Sequence, residues 1–391
     1  MKSRLSRIFT ILLVILLSFS SLGILSVYSQ VEDTWTSLVP MQEERYSLGV
    51  IAENGKIYAM GGYTGGGPFL DTNEEYDPET NKWTTKTPMP FPMGRFGITV
   101  HNGKIYCISG ENGTTYAYTP IYDTWEEKAP LPNPRYYIKA NTINDKIYIV
   151  GGNTNSLDAY DPQTNTWTTM TPMPHGLGSS FYGWRGATAV LDGRIHVIGG
   201  TPWEYSHQIY DPTTDSWKVG KPLIAGYHYS FAVATTGVNS PKRIYVFGAD
   251  KSDWHLTVPI PTGQSYDPKT VTWTLIENVP DWHIRGDGAV VDDKIYVVGG
   301  SMVMIGGGNF LARPYVSLYT PIGYGTPDYT YVPPDPTPTP TLSPIPTPTP
   351  TPDPEPEPFP TAIVLASVVI IAVVGFGILA YYKKYRKKET R

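Results

Sequence analysis

The feature that most constrains this chain is a short motif that returns six times. The segments KIYAMGG (56–62), KIYCISG (104–110), KIYIVGG (146–152), RIHVIGG (194–200), RIYVFGA (243–249) and KIYVVGG (294–300) share a basic start, an apolar run and a small-residue end. Each is followed by a tyrosine in a YDP or YTP triplet, at Tyr76, Tyr118, Tyr160, Tyr210, Tyr266 and Tyr319. In the first five repeats a tryptophan comes seven residues later, at Trp83, Trp125, Trp167, Trp217 and Trp273. Successive motifs start 42–51 residues apart. A period of that length marks a supersecondary unit that buries its faces against neighbouring copies rather than alone.

The motif has a physical reading. Consecutive apolar positions in KIYVVGG require a strand covered on both faces. Four repeats end in a glycine pair: Gly61 and Gly62, Gly151 and Gly152, Gly199 and Gly200, Gly299 and Gly300. Such pairs let the chain bend and neighbouring backbone approach closely. Asp-Pro followed by Thr-Asn is turn chemistry joining a third strand to a fourth, and the following tryptophan is large enough to fill a wedge between sheets. The content of 29 Tyr, 10 Trp, 38 Gly and 38 Pro is that of a β protein. Cys107 is the sole cysteine, so the fold is held by packing without an intrachain disulfide.

Double glycine, tyrosine and tryptophan repeated in register over about residues 33–322 resemble the kelch family. The resemblance implies an all-β, six-bladed kelch β-propeller. Galactose oxidase, the bacterial sialate mutarotases and many protein-binding adaptors share that fold, so it does not by itself name a function. The sixth repeat has Thr326 where a tryptophan is expected, whereas Trp35 has no repeat before it. Trp35 stands ten residues before Arg45, as Trp125 stands before Arg135. Residues 33–38 are therefore predicted to supply the missing fourth strand of the sixth blade, an N-terminal strand that closes the ring and removes its edge.

Outside the propeller, assigned to 30–325, the chain reads as an exported, anchored protein. Residues 1–29 have a basic start, an apolar run and a serine-rich stretch, with Val27 and Ser29 suited to signal-peptide cleavage after Ser29. Residues 326–360 form a Pro/Thr-rich stalk; its 28-residue proline tract, extended at about 3.1 Å per residue, reaches at most ~87 Å. Within 361–382 lies an uncharged run of 19 residues, Ala362–Ala380, flanked by Tyr381 and Tyr382 and long enough to cross a bilayer as a helix. The basic tail 383–391 is expected in the cytoplasm, which places the propeller outside the cell. Of the formal net charge of −5, the first seven residues contribute +3 and the tail +5, leaving −13 between them. That acidity argues against nucleic acid or another anionic polymer as the main partner.

The connections divide into two faces. One carries the short, similar turns ENGK, HNGK, INDK, LDGR and VDDK together with the DPxT turns, and reads as scaffold. The other carries long, dissimilar loops, such as 63–73, 201–207, 250–263 and 301–314, where binding is expected. Arg45, Arg95, Arg135, Arg185 and Arg285 each stand where a blade begins, with Tyr227 and His228 in the fifth. In some protein-binding kelch domains arginines at this position line the mouth of the central channel. A ring of five suits carboxylates, although pairing with loop carbonyls or acids would account for them equally well.

Blades 4–6 add an aromatic and polar set: Trp184, Trp203, His207, Tyr227, His228, Asp253, Trp254, His255, Asp281, Trp282 and His283. Tryptophan faces beside hydrogen-bonding groups suit sugar rings, and tryptophans also pack loops. Five of the seven histidines (175, 207, 228, 255 and 283) fall on these loops, but at no metal-ligand spacing, so no metal and no cofactor is expected. Cys107 occupies an Ile/Val position of the motif, which speaks for a buried structural role rather than copper-radical chemistry. Asn112 begins a glycosylation sequon. The reading adopted is a cell-surface recognition module for a carbohydrate or a surface protein. A sugar-modifying enzyme of sialate-mutarotase type in the channel mouth, with Glu204 or Asp253 as the acid–base group, stays open as the alternative.

Overall fold

The structure is a computed structural model that describes residues 32–326, apart from 66, 153, 176–185, 201–202, 251–260, 281–282, 284 and 304–309. The predicted signal sequence, the stalk beyond 326, the membrane helix and the tail lie outside the described residues. Among the described residues no helix is long and apolar enough to cross a membrane.

Six four-stranded antiparallel sheets form the six blades of a β-propeller. Blade 1 comprises Gly49–Glu53, Lys56–Met60, Asn73–Asp77 and Lys82–Thr85, ordered from the axis outwards. Blades 2 to 5 repeat this plan over 97–128, 138–170, 187–219 and 227–276. Blade 6 takes Asp287–Val291, Lys294–Val298 and Val316–Thr320 from the end of the domain and Thr34–Ser37 from its start. The closing strand pairs antiparallel with its neighbour, Trp35 opposite Tyr319, as the stray tryptophan predicts. Blade 6 also carries a small extra hairpin, Ser301–Val303 with Phe310–Ala312.

The first hairpin turns explain the Asn/Asp-Gly signatures. In blades 1, 2, 3, 4 and 6 both central residues have positive φ, for example Asn54 (51°) and Gly55 (72°), the conformation that matches the twist of a two-residue hairpin. Blade 5 has a longer connection, and Asp293 of blade 6 holds it by accepting the backbone N–H groups of Thr236 (2.6 Å), Asn239 (2.7 Å) and Ser240 (3.1 Å).

The glycine pairs divide the predicted roles between their two members. The first allows close approach: a Cβ on Gly61 (φ +60°) would lie 2.2 Å from the carbonyl oxygen of Met93, on the way into the next blade. The second lies just past the end of the strand or at its last link, where Gly62, Gly152, Gly200 and Gly300 all have φ of 93–118°. Side chains rarely adopt that backbone, so the bend itself requires glycine. Space is equally short there. A Cβ on Gly152 would meet the Arg135 side chain at 2.6 Å, and one on Gly300 the His283 Cα at 2.7 Å.

No single core exists. Six apolar clusters form, one at each seam between neighbouring blades. Cys107, fully buried, belongs to the cluster between blades 1 and 2, and burial pushes its thiol pKa up. A polar clip reinforces most seams. The YDP/YTP tyrosine donates to an Asn or Asp in the following turn: Tyr76 to Asn81, Tyr118 to Asp123, Tyr160 to Asn165, Tyr210 to Asp215 and Tyr319 to Asp33, at 2.6–2.8 Å. That same side chain accepts the backbone N–H of the preceding blade's exit, at Val39, Thr87, Ala129, Thr171 and Glu277 respectively. The tryptophans add an indole N–H to a nearby carbonyl of the same exit, as from Trp83 to Val39, Trp125 to Thr87 and Trp167 to Ala129.

The Asn/Asp of the clip is left-handed in each case, φ 47–56°, and blade 5 places Val271 there at φ 56°. A β-branched residue is strained in that conformation, and valine supplies no acceptor for Tyr266. Val271→Asn is expected to stabilise the propeller by about 1–2 kcal/mol, from relieved strain and a restored clip. In thermal unfolding this raises the midpoint by a few degrees; an unchanged or lowered midpoint would refute the clip.

Candidate functional site

The arginines at the blade entrances belong to two sets with different fates. Counted back from the basic residue that opens each second strand, Arg45 and Arg135 stand eleven residues before Lys56 and Lys146. Arg95, Arg185 and Arg285 stand nine residues before Lys104, Arg194 and Lys294. Two residues of offset decide whether a side chain enters the blade or faces the axis.

Arg45 is fully buried. It pairs with Glu74 at 2.5 Å and donates to the carbonyl oxygens of Gly61 (3.0 Å) and Ala59 (3.3 Å). Burial pulls its pKa down, and the Glu74 charge opposes that shift. Arg135 repeats the arrangement, pairing with Asp158 at 2.8 Å and donating to Gly151 (2.9 Å) and Ile149 (3.1 Å). His283 occupies the same offset in blade 6; its Nδ1 donates to the Gly299 carbonyl at 2.6 Å and its Nε2 contacts Ser317 Oγ at 3.0 Å. These three expected ligand residues instead brace the glycine-pair bend from inside the blade. An unpaired polar group buried there would be costly, so the pairs are structural.

The nine-residue set builds the axial mouth. Ser47, Arg95, Tyr137, Tyr229 and Arg285 all adopt left-handed φ of 55–62°. Four of them stand just before the innermost strand of their blade, and Tyr229 is the blade 5 counterpart. Blade 5 is represented by Tyr229 rather than Tyr227 or His228 because a bulge between His228 and Phe231 shifts the register. Backbone bonds link neighbours around the axis: Ser47 N–H to the Arg285 carbonyl (2.7 Å) and Arg95 N–H to the Ser47 carbonyl (2.9 Å). These residues, with Lys139, line a small solvent-open axial cavity of about 60 Å³.

Each described mouth arginine lies between aromatic rings. The Arg95 guanidinium sits 4.9 Å from the Tyr63 ring and 5.0 Å from Tyr137. Arg285 sits 4.1 Å from Tyr229, donating to its hydroxyl at 2.7 Å, and 5.6 Å from Tyr46. Tyr46 and Tyr63 stack at 5.4 Å, so rings and guanidinium groups form one continuous arc across blades 5, 6, 1, 2 and 3. Cation–π contact orients both guanidinium planes without neutralising them. Arg95 makes no ion pair with a described carboxylate within 4.0 Å, and its Nε is buried with no hydrogen-bond partner among the described residues. Burial raises the Glu111 carboxyl pKa, opposed by the Arg95 charge. Lys139 has a distant counter-charge in Asp287, which accepts backbone N–H groups of Gly288 (3.0 Å) and Val50 (3.4 Å).

The aromatic set on blades 4–6 fares differently. Trp203 is 47% exposed and stacks on His175 at 5.2 Å and 24°. His207, by contrast, is buried in blade 4, its Nε2 2.8 Å from His196 Nδ1. His207 is therefore removed from the ligand-facing set. Arg185, Trp184, Asp253, Trp254, His255, Asp281 and Trp282 lie outside the described residues, and the side chains of Tyr227 and His228 are likewise not described. Asn112 is exposed, its Oδ1 accepting from Thr114 N–H (3.1 Å) and hydroxyl (2.8 Å). Sequence reading missed Ser47, Tyr46, Tyr63, Tyr137, Lys139 and Tyr229; the nine-residue offset would have found Ser47 and Tyr137 and separated the two arginine sets.

Blade count, strand order and repeat register define a kelch-type β-propeller. Comparison with known proteins agrees: the Attractin/LZTR1 beta-propeller family matches residues 110–308 and the Kelch motif matches 44–90, and the chain belongs to the Attractin/LZTR1 beta-propeller family. Similar proteins include spermatocyte protein spe-26 of Caenorhabditis elegans, 28% identical over 141 residues, covering 35% of this chain and 23% of that protein. Human kelch-like protein 23 is 39% identical over 56 residues, 14% of this chain and 10% of that protein. An F-box/kelch-repeat protein of Arabidopsis thaliana is 30% identical over 97 residues, 24% and 19% of the two chains. The matches thus span less than a quarter of each relative's length.

The two arginine sets separate experimentally. Arg45→Ala leaves Glu74 buried without its partner and is expected to cost about 3–5 kcal/mol, whereas Arg95→Ala changes stability by under about 1 kcal/mol. Chemical denaturation of both variants checks this; equal losses would erase the division.

Proposed function

We propose that this propeller is a recognition module whose axial mouth binds a carboxylate-rich segment of a protein partner. The observation that carries the reading is the setting of Arg95. It lines the axial cavity, is held between the Tyr63 and Tyr137 rings, and has no described carboxylate within ion-pair distance. Arg285 lines the same cavity from across the axis, between Tyr229 and Tyr46. Guanidinium forks fixed in this way suit carboxylates, and the flanking rings give apolar contact to a peptide backbone or side chain. Lys139 adds a third cation to the cavity wall. Arg185, at the same offset in blade 4, extends the pattern in sequence.

This basic mouth lies in a chain segment whose formal charge is −13, so the attraction is local and directs an acidic ligand to the axis rather than the flanks. An isomerase needs a carboxylate opposite the arginines, and the described cavity lining contains none. The half-exposed Trp203 stacked on His175 is what favours a second reading, a sugar bound beside blade 4.

Fluorescence polarisation of a labelled Glu/Asp-rich peptide with the full-length protein tests the mouth. Arg95→Ala/Arg285→Ala is expected to weaken binding at least tenfold, and raising salt should weaken wild-type binding. Binding that survives the double substitution, or that Trp203→Ala abolishes instead, would overturn the axial assignment.

The same proposal includes display outside the cell, through the Pro/Thr-rich stalk 326–360 and the helix 361–382, with the tail 383–391 in the cytoplasm. The full-length protein should then sediment with membranes, leave them in detergent but not in high salt, and expose the propeller to protease added to intact cells. Release by salt alone, or protection from the protease, would sink that topology.

A further inference from the structure

Five of the six seams are sealed alike on the short-turn side. The tyrosine of each KIY or RIY motif meets the YDP/YTP tyrosine of the next blade: Tyr58–Tyr118, Tyr106–Tyr160, Tyr148–Tyr210, Tyr245–Tyr319 and Tyr296–Tyr76, at 5.9–6.1 Å between ring centroids. Blade 4 carries His196 at this position, and its ring meets Tyr266 at 5.8 Å, so the contact is kept but an imidazole replaces the phenol. The seam it faces, between blades 4 and 5, is also the one where Val271 replaces the Asn/Asp clip. Two independent departures from the repeat thus fall at one seam. A solvent-open cleft of about 270 Å³ lies there, lined by His196, Tyr266, Val271, Arg194, Lys218 and Lys221 among others.

The hydrogen-bond chain behind His196 fixes its chemistry. The Lys221 carbonyl can only accept, so His207 Nδ1, 3.2 Å away, carries the proton. His207 Nε2 is then an acceptor, and His196 Nδ1 at 2.8 Å must donate to it. That leaves His196 Nε2 as a lone-pair acceptor with no hydrogen-bond partner among the described residues, in a side chain that lines the cleft. Burial holds both imidazoles neutral, with pKa values pushed down to about 3 for His196 and about 4 for His207.

The charged groups packed around this pair are mostly basic. Lys218 and Lys221 are exposed and make no ion pair with a described residue, whereas Arg194 is engaged by Asp211 at 2.9 Å. Asp192, the acid in the lining, is held by Lys242 at 2.8 Å. The cleft therefore offers positive charge at its rim, an acceptor for a hydroxyl within, and the Tyr266 ring as an apolar wall.

We propose that the seam between blades 4 and 5 is a binding site for a hydroxylated carboxylate of sugar-acid type. The carboxylate meets Lys218 and Lys221, and a hydroxyl donates to His196 Nε2. This site is separate from the axial mouth and does not depend on the function proposed for it.

Titration calorimetry of the detergent-solubilised full-length protein with D-glucuronate, D-glucose and inorganic phosphate tests the assignment. Glucuronate is expected to bind and glucose and phosphate not to bind. His196→Tyr restores the residue of the other five seams and should fold with an unchanged or higher unfolding midpoint while abolishing glucuronate binding. Lys218→Glu, at an exposed position that leaves folding intact, should weaken it at least tenfold. No glucuronate binding, equal binding by His196→Tyr or Lys218→Glu, or glucose bound as tightly would overturn the site. Phosphate binding that His196→Tyr removes would overturn the sugar-acid class in favour of a phosphate.

Discussion

The ring is held by a clip repeated from blade to blade. A tyrosine hydroxyl fixes an Asn or Asp in a left-handed turn, and that side chain accepts an amide from the exit of the preceding blade, as Tyr160, Asn165 and Ala129 do. Each bond contributes about 1 kcal/mol net, so no one clip holds the fold. Their importance is geometric. The apolar material is divided among six seams, and each must find the same register for the last to close on Trp35.

Rigid closure lets the axis be built from strained backbone. Five described residues at the mouth share left-handed φ, which costs about 1–2 kcal/mol for a residue with a side chain. The hydrogen bonds joining Arg285, Ser47 and Arg95 around the axis offset part of that cost. The outcome is alternation: arginine in blades 2 and 6, tyrosine in blades 3 and 5, each cation resting on a neighbouring ring. The arginines thereby keep their charge and lose their freedom, which is what selective carboxylate binding requires.

Much of the fold was legible because the repeat carries its own physics. Consecutive apolar residues, glycine pairs and Asn-Gly turns fix strand and turn, and the lone Trp35 showed how the circle shuts. The site was legible only in part. Arg45 and Arg95 look alike at the start of a blade, yet one bonds Glu74 inside the sheet and the other faces the cavity. His207 and His283 read as loop ligands but are buried, bonded to His196 and to the Gly299 carbonyl. Composition assigned them to a polar face, whereas their places in the repeat turned them inwards, His207 at the start of a third strand and His283 eleven residues before Lys294. The bulge after His228 moved Tyr229 into the ring in the same way.

What the sequence determined by itself was the architecture: six blades, their strand order and the closing strand, since these follow from local periodicity repeated often enough to be unambiguous. What only the tertiary structure decided was which side chains meet. The arc from Tyr229 through Arg285, Tyr46, Tyr63 and Arg95 to Tyr137 joins residues from five blades. The cleft beside His196 likewise brings in Val271, 75 positions later in the chain, at the same seam. Contacts between residues so far apart depend on closure of the ring, and no local pattern encodes them.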